Sequence, residues 1–125
     1  MPSGADTRRL ALEVLYEVEQ AGAEAPELED LTHRARRLVR GVLKHRQELD
    51  EVLDGTSPEW RVERMPPIDR SLLRMGLYEL RYEPETPVGV IISEAVRLAK
   101  EYSTERSGAF VNGVLGRLAK EERST

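Results

Sequence analysis

The chain has 125 residues, 34% of them charged and 5% aromatic, with 39% hydrophobic; this suits a single, helical, heavily solvated domain with one core. It has no cysteine, which excludes disulfides and thiolate metal sites. No apolar run approaches the ~18 residues of a membrane span. The start, MPSGADTRR, lacks the apolar stretch of a secretory signal, so a cytoplasmic protein without membrane attachment is expected. The net charge of −4 makes a poor nucleic-acid ligand on bulk charge alone, because affinity for phosphate comes from clustered Lys and Arg. The distribution of charge therefore matters more than its sum.

Asp6 or Thr7 can cap a first helix, expected over about 8–21, with Ala11, Val14, Leu15 and Val18 as its apolar stripe. Arg8 and Arg9 fall in the first turn of that expectation, where cations oppose the helix dipole. Tyr16 lies off the stripe: either a half-buried surface residue or an amphipathic contact for a partner. After the loop at Gly22–Pro26, the pattern predicts one long helix over about 27–53. Between Thr32 and Gln47 there is no acid. Arg36, Arg37, Arg40 and Lys44 gather opposite the core stripe, as a solvated face or as a contact to phosphate or an acidic partner. His45 and Glu48 have a chelating spacing, but two ligands do not make a metal site.

Gly55-Thr56-Ser57-Pro58 ends this helix, and Ser57 with Pro58 opens a short one. Trp60, the only tryptophan, is expected at the seam between an N-terminal half (about 7–55) and a C-terminal half (about 58–122). Pro67 opens a helix over about 67–82, with Asp69 in its first turn, where a carboxylate suits the dipole, and Gly76 placed to permit a close crossing. Pro84 and Pro87 precede a helical pair. Ile91, Ala95, Leu98 and Tyr102 mark the first helix, and Val111, Val114, Leu115 and Leu118 the second. The second helix breaks a local rule. Gly113 and Gly116 each cost about 1 kcal/mol relative to Ala, and with Asn112 they leave the side away from the stripe almost bare, with Phe110 and Arg117 at its edge. Either a neighbouring helix packs against that side, or it receives an extended ligand, with Phe110 as a stacking plate and Asn112 as a hydrogen-bonding group.

No phosphate loop, nucleophile elbow, metalloprotease helix or cysteine nucleophile is present in the sequence. The abundant carboxylates lie on polar helix faces, without the placed acid–base pair that catalysis needs. A non-enzymatic, all-α adaptor of six to seven helices, in two small bundles packed through one core, is the expectation.

Three blocks carry a resemblance: RRLALEVLY (8–16), DRSLLRMGLYELRY (69–82) and ISEAVRLAKEYSTERSGAFVNGVLGRL, in which Phe110-Val111-Asn112-Gly113 is the most specific part. In this order they resemble the NusB family of bacterial transcription antitermination factors. The resemblance implies two packed helical bundles. It implies binding of single-stranded boxA RNA of ribosomal RNA leaders together with the small-subunit ribosomal protein NusE, and joining of other Nus factors and RNA polymerase, without cofactor or metal. It places Arg8, Arg9, Arg106, Phe110, Asn112 and Gly113 on RNA, and Tyr16 and Asp69 on NusE. The arginine-rich N-terminal arm of the family is reduced here to Arg8 and Arg9. An RNA-binding module of a ribosomal-RNA cytosine methyltransferase and a helical dimerisation protein without RNA are the alternatives. A homodimer is compatible with the apolar faces.

Overall fold

A computed structural model describes residues 4–22, 28, 31–56 and 61–123. Six α-helices follow one another: α1 (Gly4–Ala21), α2 (His33–Lys44), α3 (Arg46–Thr56), α4 (Pro67–Tyr82), α5 (Val88–Tyr102) and α6 (Glu105–Glu122), with one 3-10 turn at Val62–Arg64. No strand occurs among the described residues. No helix among them is long and apolar enough to cross a membrane.

The hub is α4. Every residue from Ser71 to Leu80 is buried, and the helix packs against α1, α2, α3, α5 and α6. One group of contacts joins α1, α2 and α3 to it. The other joins α5 and α6, which also pack along each other. Leu72, Leu73, Leu77 and Leu80 tie both groups into one continuous apolar cluster running from Ala11 to Ala119. Gly76 allows a close approach of α6: a Cβ there would stand 2.7 Å from Leu115 Cδ2. Gly41 does the same for α2, because a Cβ there would run into the Tyr78 ring.

Burying α4 on all sides also buries polar residues, and two of them, Arg74 and Glu79, have charged partners far away in sequence. Arg74 makes a two-pronged pair with Asp50 at 2.7 and 3.0 Å. Arg81 joins Glu48 of α3 (2.9 Å) to Glu122 of α6 (2.8 Å). The last carbonyls of a helix lack intrahelical donors. Here Arg123 supplies them, donating to the carbonyls of Leu80 (2.8 Å), Glu79 (3.3 Å) and Glu83 (2.9 Å), and to Thr86 (3.1 Å) in the following turn.

Three element boundaries differ from expectation. The predicted helix over 27–53 is two helices. The first begins at His33, where Thr32 Oγ1 accepts from the Ala35 N–H at 3.2 Å. It ends at His45, whose backbone leaves the helical region at φ −101°, ψ 12°. Its ring stacks on Tyr82 at 4.2 Å between centroids. The apolar stripe continues across this bend, so periodicity alone could not see it. Second, α1 begins at Gly4, so Arg8 lies beyond the first turn. Third, the polar stretch 103–108 is expected to separate the last two helices, but only Ser103 and Thr104 lie outside them: α6 begins at Glu105, capped by Thr104 Oγ1 accepting from the Ser107 N–H at 3.0 Å. The expectations for Ser57, Pro58 and Trp60 lie outside the described residues.

Candidate nucleic-acid interface

The exposed side of α6 is built from small residues. Ala109, Gly113 and Gly116 recur at four- and three-residue steps, and at about 100° per residue they share one line. Ala109 and Gly113 are exposed and Gly116 half-exposed. A Cβ added at Gly113 or Gly116 would meet nothing within 4 Å among the described residues. Close packing against a neighbouring helix is therefore not what these glycines serve in this chain, unlike Gly76. Asn112 is exposed on one edge of the bare line, and Arg106 and Arg117 are exposed on the other.

Phe110 stands between that line and a cleft of about 510 Å³ whose walls include Met65, Pro66, Asp69, Arg106 and Ser107. The ring is half-buried and rests partly on the core. Asp69 closes the bottom of this cleft at 3% exposure. Its Oδ1 has no hydrogen-bond partner among the described residues. Burial, which penalises the charged form, pushes the Asp69 carboxyl above its ordinary value, and a hydrogen bond with the Ser107 side chain pulls the other way. A buried carboxylate with an idle oxygen at the floor of an open cleft suits a donor brought by another molecule.

Tyr16 lies elsewhere. It lines a second cleft, about 550 Å³, with Leu12, Glu13, Glu17, Gln20, Ile68 and Tyr102. Ile68 and Asp69 are consecutive in α4, so the first turn of that helix forms a wall of both clefts. Tyr102 ties α5 to α1 at the rim: its hydroxyl donates to Glu13 Oε2 at 2.7 Å and accepts from Arg9 Nη1 at 3.3 Å.

The two N-terminal arginines depart from the expected picture. Arg8 is only 5% exposed and makes a two-pronged ion pair with Glu79, Nε to Oε2 at 3.0 Å and Nη2 to Oε1 at 2.8 Å. It faces inward because Arg8, Ala11, Leu12 and Leu15 recur at three- and four-residue steps, which puts Arg8 on the buried side of α1. Arg9 is half-exposed and pairs with Glu101 at 2.5 Å, its guanidinium over the Tyr102 ring at 5.7 Å. Arg106, Phe110, Asn112 and Gly113 thus share the α6 side, Asp69 joins the first two in one cleft, and Tyr16 and Arg8 stand apart. Sequence reasoning missed Ala109 as the third member of the bare line, although its spacing from Gly113 was visible.

The NusB family profile matches residues 5–120. The chain belongs to the NusB family. The transcription antitermination protein NusB of Myxococcus xanthus is 43% identical over 90% of this chain and 91% of its own length. That of Geobacter sulfurreducens is 42% identical over 90% of each. Among solved structures, NusB of T. maritima superposes with a TM-score of 0.85 at 32% identity, covering 97% of this chain and 94% of that one. A NusB solved with NusE and double-stranded RNA superposes with a TM-score of 0.76 at 27% identity, covering 92% and 94%. The all-α architecture is thus that of NusB proteins.

Proposed function

We propose that this NusB-family chain is a transcription antitermination factor that binds RNA together with the ribosomal protein NusE. The observation that carries the reading is the bare line Ala109–Gly113–Gly116, open to solvent with Asn112 and Phe110 beside it. A helix gives up about 1 kcal/mol at each glycine relative to Ala, and nothing among the described residues uses the space. The relative solved with NusE and RNA supports the same pair of ligands. RNA takes the α6 side, with Asn112 and Arg106 offering polar contacts and Phe110 a ring. NusE takes the clefts at the first turn of α4, through Tyr16 and Asp69. Unpaired nucleotides of the boxA element of ribosomal RNA leaders fit a bare flank beside an aromatic ring, because single-stranded RNA is read by stacking and base edges. The complex then joins other Nus factors on RNA polymerase.

The test is RNA binding with and without NusE, on boxA and scrambled RNA, comparing the native chain with Gly113→Leu. The substitution fits the open space and favours the helix, so the melting temperature holds or rises. Affinity for boxA is expected to fall at least tenfold. Undiminished affinity in the folded variant would remove the α6 flank from the RNA path.

A further inference from the structure

Both N-terminal arginines that the resemblance places on RNA are engaged within the monomer, Arg8 with Glu79 and Arg9 with Glu101. An RNA-binding chain of net charge −4 then needs cations from somewhere else, because neutralised phosphates supply much of the affinity. One helix has them. Residues 33–44, the whole of α2, hold five of the 19 Lys and Arg and none of the 23 acids.

The structure sorts those cations. Arg36 turns back along the chain and donates to the carbonyls of Leu28 (3.1 Å) and Leu31 (3.2 Å). Arg37 reaches Glu83 at 2.6 Å, yet its side chain stays 58% exposed. Arg34, Arg40 and Lys44 are exposed. Arg37, Arg40 and Lys44, at three- and four-residue steps, lie on one line opposite the buried Ala35, Leu38, Val39 and Val42. That line is about 10 Å long at 1.5 Å per residue, roughly the axial spread of four consecutive phosphates along one nucleic-acid strand at about 3.4 Å each. Arg34 and Arg37 also border a cleft whose other walls carry Glu79, Glu83 and Glu85, so the basic line ends at that edge of α2.

We propose that the outer face of α2 is a second RNA surface, a track for the phosphate backbone formed by Arg34, Arg37, Arg40 and Lys44. It reads charge and spacing rather than bases, and it supplies the sequence-independent part of the affinity while the α6 flank supplies the rest. A phosphate at Arg37 competes with Glu83, a pair exposed enough to exchange at little cost. The inference rests on the RNA-binding reading above.

The test is the triple variant Arg34→Gln/Arg40→Gln/Lys44→Gln, with Phe110→Leu in parallel. Glutamine is a good helix former at exposed sites, and circular dichroism checks the fold. BoxA and scrambled RNA are titrated from about 50 to 200 mM salt. The triple variant is expected to bind both RNAs about tenfold or more weakly at the low end, and the slope of log K against log salt should shrink by about 2, near 0.7 for each lost contact to a single strand. Phe110→Leu should weaken boxA binding and leave the slope alone. An unchanged slope in the triple variant, with Phe110→Leu impaired, overturns the α2 track and spares the RNA reading. Unchanged binding in both variants overturns the RNA reading as well. Loss of NusE binding with an unchanged RNA slope would make α2 a protein surface and overturn the proposal.

Discussion

Asp69 shows how one residue can be badly placed for stability and well placed for a partner. Its carboxyl is raised first by burial, with the Ser107 hydrogen bond opposing. A carboxyl that holds its proton more tightly folded than unfolded favours folding as pH falls through the folded value and works against it above. Asp69→Asn keeps the shape and removes the charge. The variant is expected to melt higher than the native chain at neutral pH, with the gain fading as the buffer is made acidic. Glu48 has the opposite sign: a hydrogen bond from Tyr82 and then one from Arg81 lower its carboxyl, so its contribution is lost as pH falls. Only the difference between variant and native curves isolates Asp69, and a pH-independent difference would refute the assignment. If Asp69 Oδ1 meets a donor of NusE, the same variant binds NusE more weakly while being more stable. Phe110 needs a gentler change than alanine, because its ring rests partly on the core. Phe110→Leu keeps most of that packing, within about 1.5 kcal/mol, and removes the aromatic face. Its boxA affinity is expected to drop by about 1–3 kcal/mol, the usual value of one stacked base, with a melting curve close to native.

At the scale of elements, α4 and α6 use glycine for opposite ends. Gly76 lets Leu115 pack on the α4 backbone, whereas Gly113 faces open space. Gly76→Ala is therefore expected to destabilise by about 1–3 kcal/mol as an overpacked core position. Gly113→Ala should stabilise by up to about 1 kcal/mol. Denaturant melts of both would check the pair, and equal signs would contradict the geometry. The sequence shows two glycines in two helices and a close crossing expected at Gly76. It does not by itself say which kind of approach Gly113 serves, since both kinds need the missing Cβ. Helices α5 and α6 were legible from apolar spacing, and so was the bare side of α6. The centrality of α4 was not. Arg74 and Glu79 read as a polar face, and they are buried only because Asp50 arrives from 24 residues away and Arg8 from 71. The bend at His45 was hidden for a similar reason: its ring is held by Tyr82 of α4, a contact that no local pattern announces.

Across the whole molecule, the Arg8–Glu79 pair fastens α1 to the hub and so decides what Arg8 is for. Both side chains are below a tenth exposed and the geometry is two-pronged. Such a pair is not itself a large source of stability, because desolvation of two charges offsets most of their attraction. Breaking it is another matter, since the survivor is left charged and buried. Arg8→Ala is expected to destabilise by about 3–5 kcal/mol, enough to unfold a marginal domain of this size. Its RNA binding would fall for that reason alone. The double variant Arg8→Met/Glu79→Leu removes both charges and keeps the volume, so it should recover most of the loss. RNA affinity measured on the refolded double variant then separates the two roles. If Arg8 only docks α1, binding returns with the fold and the salt slope matches the native chain. A double variant that melts like the native chain yet binds RNA weakly, with a shallower slope, would show that Arg8 leaves Glu79 to meet phosphate.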